Sequence, residues 1–535
     1  MTTYPVRTYE DVREALLARR EIALLDVREE DPHAHAHPLF AANLPLSKLE
    51  LEAYTRLPRR DVPIVLFDAG EGLAARAAAK FAALGYTSVA LLAGGLDGWI
   101  RAGGEVFRDV NAPSKAFGEF VEAHRHTPSL SAEAVDTLLR NGDDVVVLDA
   151  RRFDEYQTMN IPGSISVPGA ELVLRARALA PDPSTRVIVN CAGRTRSIIG
   201  AQSLVNAGLP NPVAALRNGT IGWTLAGQSL EHGSDRRFEP GAGLDPRQLG
   251  ASRVAARALA ERAGVGRTTL DEAARWAGEA TRTTYRFDVR TPAEYEHAHA
   301  PGFQGAPGGQ LVQETDMFAP VRGARVVLFD DDGVRANMTA SWLAQMNIEV
   351  YVVDRATPDA LTESGPWRAP KPAPLPAALV STDELAALLA DPASGTVVID
   401  VTSSANHVKA HIPGAHWLVR SRLGNDTGDL RALPDAKRYV VTCASSALAQ
   451  FAAPEIAALT GKPVHVLDGG TAAWLRAGLP GESGYARLAS PRIDRYRRPY
   501  EGTDNGREAM NAYLEWEYGL VAQLERDGTH GFFVI

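Results

Sequence analysis

A cysteine, a glycine and two arginines within six residues make Cys191, Gly193, Arg194 and Arg196 the set in this chain best suited to nucleophilic chemistry. They stand in VIVNCAGRTRSIIGAQSL, residues 187–204, where an apolar run gives way to an apolar-periodic segment. The pattern predicts a strand that delivers the thiol to the carboxyl end of a parallel sheet, where open α/β folds place their ligands. A helix starting near Ser197 would then point its unpaired N–H groups back at the sulfur. A free thiol with a pKa near 8.5 is only about 3% ionised at pH 7, and making the thiolate dominant takes roughly 2.7 kcal/mol. A helix terminus supplies only ~0.3–1 kcal/mol, so Arg194 and Arg196 are expected to supply the rest. Their planar forks also suit an anionic substrate, and Gly193 lets the backbone curl around the sulfur.

Other residue groups are weaker candidates. Cys443, in CASSALAQF, lacks both the glycine and the arginines and reads as a buried small hydrophobe, with a second thiol function as the alternative. The HAHAH at 33–37 sets three imidazoles at alternate positions, which could bind zinc on an extended chain; an exposed turn is the expected outcome. The DDDG at 330–333 lacks the remaining ligand spacing of a calcium loop and is expected to be a solvated loop. AGGLDGW and LDGGTAAW lack the Lys and Ser/Thr of a phosphate loop and read as strand-end turns, with Trp99 and Trp474 as core anchors. No metal or cofactor is implied.

The elements that must position Cys191 belong to a fourfold repeat. β-rich runs end at Asp26, Asp149, Asp288 and Asp400, and loops follow at Asp68, Cys191, Asp330 and Cys443, at separations of 42, 42, 42 and 43 residues. Between them lie Pro/Gly turns such as NIPGS and HIPGA; beyond them come a helical pattern, another short strand and a Trp at 99, 223, 367 or 474. Strands alternating with helices predict an α/β fold with four parallel sheets flanked by helices. The expected units are 1–112, 125–235, 264–370 and 376–482. A helical stretch around ASRVAARALAERAGV joins the second and third, and the Pro-rich RAPKPAPLPAALV forms a semi-rigid spacer before the fourth. The tail, 485–535, carries REAMNAYLEWEYGLVAQLERDG, which scans as one amphipathic helix, expected to pack on a repeat or a second copy of the chain.

These features together resemble the rhodanese family over about 450 residues: the D-x-R openings at Asp26, Asp149 and Asp288, the HIPGA turn at 411–415, the CAGRTRS loop, and GG-x-x-x-x-W from Gly469 to Trp474. The resemblance implies a sulfurtransferase that moves sulfane sulfur from an anionic donor, such as thiosulfate, to cyanide or another thiophile. It implies Cys191 as persulfide carrier, the backbone of Ala192, Gly193, Arg194, Thr195, Arg196 and Ser197 as its cradle, and Arg194 and Arg196 as the donor's grip. Asp149, Arg151 and Glu155, matching the family's D-x-R-x-x-x-E opening, are expected to be structural. Units one and three, with aspartate at the nucleophile position, are expected to be silent. A dual-specificity phosphatase is disfavoured, since its loop needs Arg six positions after Cys and position 197 is Ser. The alternative is a sulfur carrier or docking scaffold for protein acceptors.

Composition sets the outer bounds. At 535 residues, 45% hydrophobic and 23% charged, the chain is an ordinary globular one of several domains. A net charge of −9 and pI near 5.9 argue against nucleic acid or an anionic membrane as partner. No signal-like segment is visible, no apolar run approaches membrane-spanning length, and only two cysteines occur, so a reducing cytoplasm is expected. Oligomeric state stays open, with a homo-oligomer among the expected partners.

Overall fold

The computed structural model describes residues 4–238, 244–354, 358–374, 376–424, 428–502 and 505–535. Four five-stranded sheets share one strand order, 1-5-4-2-3 within each repeat, and all their pairings are parallel. In the second repeat the central strands are Val145–Asp149 and Arg186–Asn190. Val187 to Asn190 are buried, as expected of a strand covered by helices on both faces. Register explains the 42-residue spacing. Asp26 pairs with Phe67, Asp149 with Asn190, Asp288 with Phe329 and Asp400 with Thr442, so the next residue of the second strand enters the loop beside the aspartate.

Each D-x-R opening folds as a buried turn. The Arg151 guanidinium donates to both carboxylate oxygens of Asp149, at 2.9 and 2.7 Å, and to the Met159 carbonyl at 2.6 Å. The same fork joins Arg28 to Asp26 and Arg290 to Asp288. In the fourth repeat Thr402 replaces the arginine, and His407 Nδ1 meets Asp400 at 2.9 Å instead. Trp99, Trp223 and Trp474 are buried, and each indole N–H donates to a carbonyl six residues on. Trp367 is not their counterpart: it is half-buried, lies in no helix among the described residues, and its indole nitrogen has no partner there.

The joints do more than connect. The linker helix Ala112–Arg125 is buried from Ala112 to Glu119 and at Val121; it packs against the second repeat's helix after Cys191, and its Ser114 donates to the Gln313 carbonyl of repeat three at 2.6 Å. The helix Pro246–Arg262 packs against the loop helix of the third repeat, Arg335–Gln345. The spacer from 368 to 377 has neither helix nor strand in its described residues; Leu375 lies outside them. The tail forms two helices, not the single one expected: Arg507–Tyr518 and Leu520–Asp527, with the chain breaking at Gly519. Leu520 and Leu524 join the core shared by repeats one and three, whereas Met510, Tyr513 and Leu514 cluster with Ile221 of repeat two. One straight helix could not serve both surfaces.

Candidate active site

The loop helix of repeat two spans Thr195–Asn206, starting two residues earlier than the pattern suggested. Cys191 is buried, 2% exposed, and its thiol meets Ser197 Oγ at 3.4 Å; that hydroxyl donates on to the Arg194 carbonyl at 2.8 Å. The loop's own carbonyls are turned away and tied down by the helix Gly219–Leu225, where Thr220 N donates to Cys191 O at 2.9 Å and Ile221 N to Ala192 O at 3.0 Å. This contact explains the paired small residues before each Trp. Gly219 has φ +55°, and a Cβ there would stand 2.3 Å from Cys191 O; Gly95 and Gly470 hold the same position against Asp68 O and Cys443 O.

Both arginines are ion-paired. Arg194, its side chain 4% exposed, donates to Glu119 at 2.6 and 2.8 Å, contacts Glu122 of the same linker helix, reaches Asn218 Oδ1 at 3.1 Å and lies over the Tyr518 ring. It has no free fork for a donor. Arg196 pairs with Glu155 at 2.7 and 2.9 Å. Burial favours a protonated Glu155, but Arg196, with Arg151 and Arg152 behind it, brings its carboxyl down to about 2. Glu155 therefore does more than hold a turn. The expectation that the loop favours a thiolate is corrected. Burial pushes the Cys191 thiol up, and the Arg196 charge and the Ser197 hydrogen bonds that oppose it do not prevail. Arg196 also lines a cavity of about 370 Å³, with Arg151, Arg498, Tyr500, Asn111 and Gln313.

Comparison of the four loops shows what the cradle holds. In repeat one Asp68 accepts hydrogen bonds from Gly70 N at 3.0 Å and Ala74 N at 2.8 Å; in repeat three Asp330 accepts from Gly333 N at 3.1 Å and Ala336 N at 2.8 Å. A carboxyl group thus occupies the ring of backbone donors made by the loop and the helix N-terminus; in repeat three burial and then the Asp332 charge push the Asp330 carboxyl well up, against the pull of those N–H groups and Arg335. In repeat two Ser197, six positions after Cys191 as Ala74 and Ala336 are after their aspartates, meets the sulfur through its hydroxyl at 3.4 Å, and its backbone N–H is among the groups that pull the thiol's pKa down. The Arg196–Glu155 pair recurs as Arg335–Glu294 beside Asp330. Its presence beside a non-nucleophile marks it as part of the frame; Arg194 has no arginine counterpart in the other three loops.

Other expectations are revised. The histidines of 33–37 do not form an exposed turn: His33 and His37 are buried and stacked 4.0 Å apart, His33 against Asp26 at 3.0 Å, and only His35 faces solvent. The DDDG is not a solvated loop either. Asp330 fills its cradle, Asp332 caps the helix at Val334 N and pairs with Arg335, and Asp331 meets Arg290 and Arg335. No group of three or more His, Cys, Asp or Glu residues able to hold a metal occurs among the described residues. Cys443 sits 4% exposed in the apolar core of repeat four.

The local sequence gave no sign that Glu119, Glu122, Asn218, Tyr513, Glu517 and Tyr518 gather around the loop. Thr195 Oγ1 is buried there without a partner, and Gly193 lies under the tail helix, where a Cβ would stand 3.1 Å from the Tyr513 ring. The available signal was the amphipathic tail segment outside the repeats.

The rhodanese-like domain model matches residues 8–102, 131–226 and 381–477, together over half the chain. The whole chain is similar to the crystal structure of thiosulfate sulfurtransferase from Pseudomonas aeruginosa, at 65% identity over 99% of this chain and 100% of that one, with a TM-score of 0.97. It is also 24% identical over 136 residues to the putative sulfur carrier protein YrkF of Bacillus subtilis, covering 23% of this chain and 72% of that protein. A 95-residue stretch, 18% of this chain, is 30% identical to the HTH-type transcriptional regulator Rv0324 of Mycobacterium tuberculosis, of whose length it spans 41%. The chain belongs to the rhodanese family, as a rhodanese-type transferase built from four tandem rhodanese-like domains, the third recognisable by its sheet order. No helix among the described residues is long and apolar enough to cross a membrane.

Proposed function

We propose that the protein transfers a sulfane sulfur from a small anionic donor to a thiophilic acceptor through a persulfide on Cys191, with thiosulfate as the donor its 65%-identical relative suggests. The observation that carries this reading is the set of four cradles: two hold a carboxyl group, one holds a thiol in an apolar core with no arginine in its loop, and only the second sets a thiol at the helix start against Ser197 and near the Arg196 charge. Cys191 sulfur attacks the donor's outer sulfur, the donor's S–S bond breaks, and sulfite leaves with the electron pair. The persulfide anion then takes the hydrogen bonds that Asp68 and Asp330 accept in their loops. Attack by the acceptor on the terminal sulfur regenerates Cys191, a two-step cycle of covalent catalysis. Arg196 stands at the donor's approach, in a cavity lined by both arginines and carboxyl groups, and Arg194 holds the loop to the linker helix. A protein-docking carrier is the second reading, and the closure of Cys191 under the tail favours a small acceptor over it.

Mass spectrometry after thiosulfate tests this: one added sulfur atom is expected, on Cys191. Cys191→Ser should abolish both the adduct and turnover, and Cys443→Ser should keep most of each. Equal losses in the two variants would refute the single active repeat.

A further inference from the structure

The tail helix carries one buried ionisable group that the transfer cycle as described does not use. Glu517 is fully buried. Its Oε1 accepts a hydrogen bond from the Tyr513 hydroxyl at 2.8 Å, and its Oε2 has no partner. That free oxygen lies against the cysteine loop, 3.4 Å from where a Cβ of Gly193 would stand. The groups facing it are Lys115 and Glu119 of the linker helix, Arg194 and Cys191 of the loop, and Tyr513 on its own helix. Asp109 pairs with Lys115 at 2.9 Å, and the Lys115 ammonium lies within 5.7 Å of the Tyr500, Tyr513 and Trp516 ring centres.

We propose that Glu517 is the internal proton store of the Cys191 site, taking the thiol proton when sulfur is loaded and returning it when sulfur leaves. The inference rests on the sulfur-transfer reading above. Cys191 is shut away from bulk water, so a proton released from it needs a nearby acceptor. The form that loads sulfur is the one with Glu517 ionised, the minor form below about pH 8, and in the first half-reaction the proton passes from the Cys191 thiol to that carboxylate. The sulfur then bonds to the donor's outer sulfur, and sulfite departs with the electrons of the broken S–S bond. The negative charge that began on Glu517 ends on the persulfide. In the second half-reaction the acceptor bonds to the terminal sulfur, Cys191 leaves with the electron pair, and Glu517 returns the proton. One proton and one negative charge stay in the site throughout. Glu517 reaches the loop at Gly193 and acts as acceptor and donor of the proton, not as a ligand of the sulfur. Burial, and then the nearby Glu119 charge, push its carboxyl up to about 8, against the pull of Lys115, Tyr513 and Arg194. That value is suited to exchange with a thiol near neutral pH.

The test is the rate of sulfur loading on Cys191 from thiosulfate, followed by quenched-flow mass spectrometry across pH 6 to 9.5. For the wild type the rate should rise with pH to a midpoint near 8 and then level, because the ionised carboxylate is the acceptor. Glu517→Gln should load roughly 100-fold more slowly at pH 8 and lose that midpoint. Tyr513→Phe, which keeps the carboxyl but removes a hydrogen bond to its ionised form, should move the midpoint to higher pH. A Glu517→Gln protein with the wild-type rate and profile overturns the proposal, as does an unshifted midpoint in Tyr513→Phe. An infrared carbonyl band of a protonated carboxyl, present at pH 7 and lost in Glu517→Gln, is read on the same samples. Its absence overturns the proton store whether or not sulfur is loaded, whereas a wild type that gains no sulfur overturns the transfer reading.

Discussion

Cys191 shows how a residue's type and its surroundings carry different information. The thiol, the glycine and the arginines stand in the sequence, and so does the absence of this set at Asp68, Asp330 and Cys443. What the arginines do does not, because their partners lie 41 to 75 residues away, on the Asp149 turn and the linker helix. Two loop arginines read as free cations; the fold spends one on holding the linker helix and the other on the Glu155 pair that a silent repeat also keeps. Arg194→Ala should therefore act through stability. With Glu119 left buried and unpaired, a loss of ~3–5 kcal/mol is expected in denaturant unfolding. The double variant Arg194→Met, Glu119→Leu should recover most of that loss, since an apolar pair of similar volume replaces the ions. A single variant as stable as wild type would contradict this account.

At the scale of elements, the loops of repeats one, two and four are each held between a strand, its own helix and the short helix that carries the Trp. The strands and most helices were legible, because a parallel sheet buried on both faces writes continuous apolar runs, and Pro and Gly punctuate them. The tail was misread as one helix: its apolar periodicity runs on through Gly519, and only the need to meet two surfaces breaks it there. Gly219 shows how closely these elements fit. Gly219→Ala would force a Cβ to 2.3 Å from the Cys191 carbonyl, so it should displace the loop and abolish sulfur loading. Gly208→Ala is the control: its φ of +66° is similar, but nothing lies within 4 Å of its Cβ site, so only about 1–2 kcal/mol of left-handed strain is expected, with loading retained. Parallel thermal melts and thiosulfate adduct measurements on the two variants separate the contact from the backbone strain.

In the whole molecule, four repeats are tied into one body by ion pairs and by the tail. Arg420 of repeat four donates to Glu50 of repeat one at 2.7 and 2.8 Å, and Lys80 bridges Glu50 and Glu455. Burial would raise the Glu50 carboxyl, but Arg420 and Lys80 bring it down to about 2. A folded pKa below the unfolded value means that this stabilisation is fully present above about pH 4.5 and is lost as pH falls toward 2. Glu50→Gln should lower stability at pH 7 by on the order of 3 kcal/mol, and the gap from wild type should close on acidification. Unfolding free energies measured from pH 6 down to about 2.5 check this; a gap independent of pH would assign the pair no role. The tail passes repeat one at Asp31 and Glu30, covers the loop of repeat two and ends on Gln345 of repeat three.

The sequence by itself determined the repeat, the parallel α/β frame, and which of four loops kept a thiol among donors. Those properties are written locally, in the periodicity of buried strands and in the residue types of a seven-residue loop. Only the tertiary structure decided that the thiol is closed off, that Arg194 is bound, and that a carboxyl from position 517 stands against the cysteine loop at Gly193. Burial and charge pairing are set by groups tens to hundreds of residues apart, and a pKa follows the surroundings those groups create.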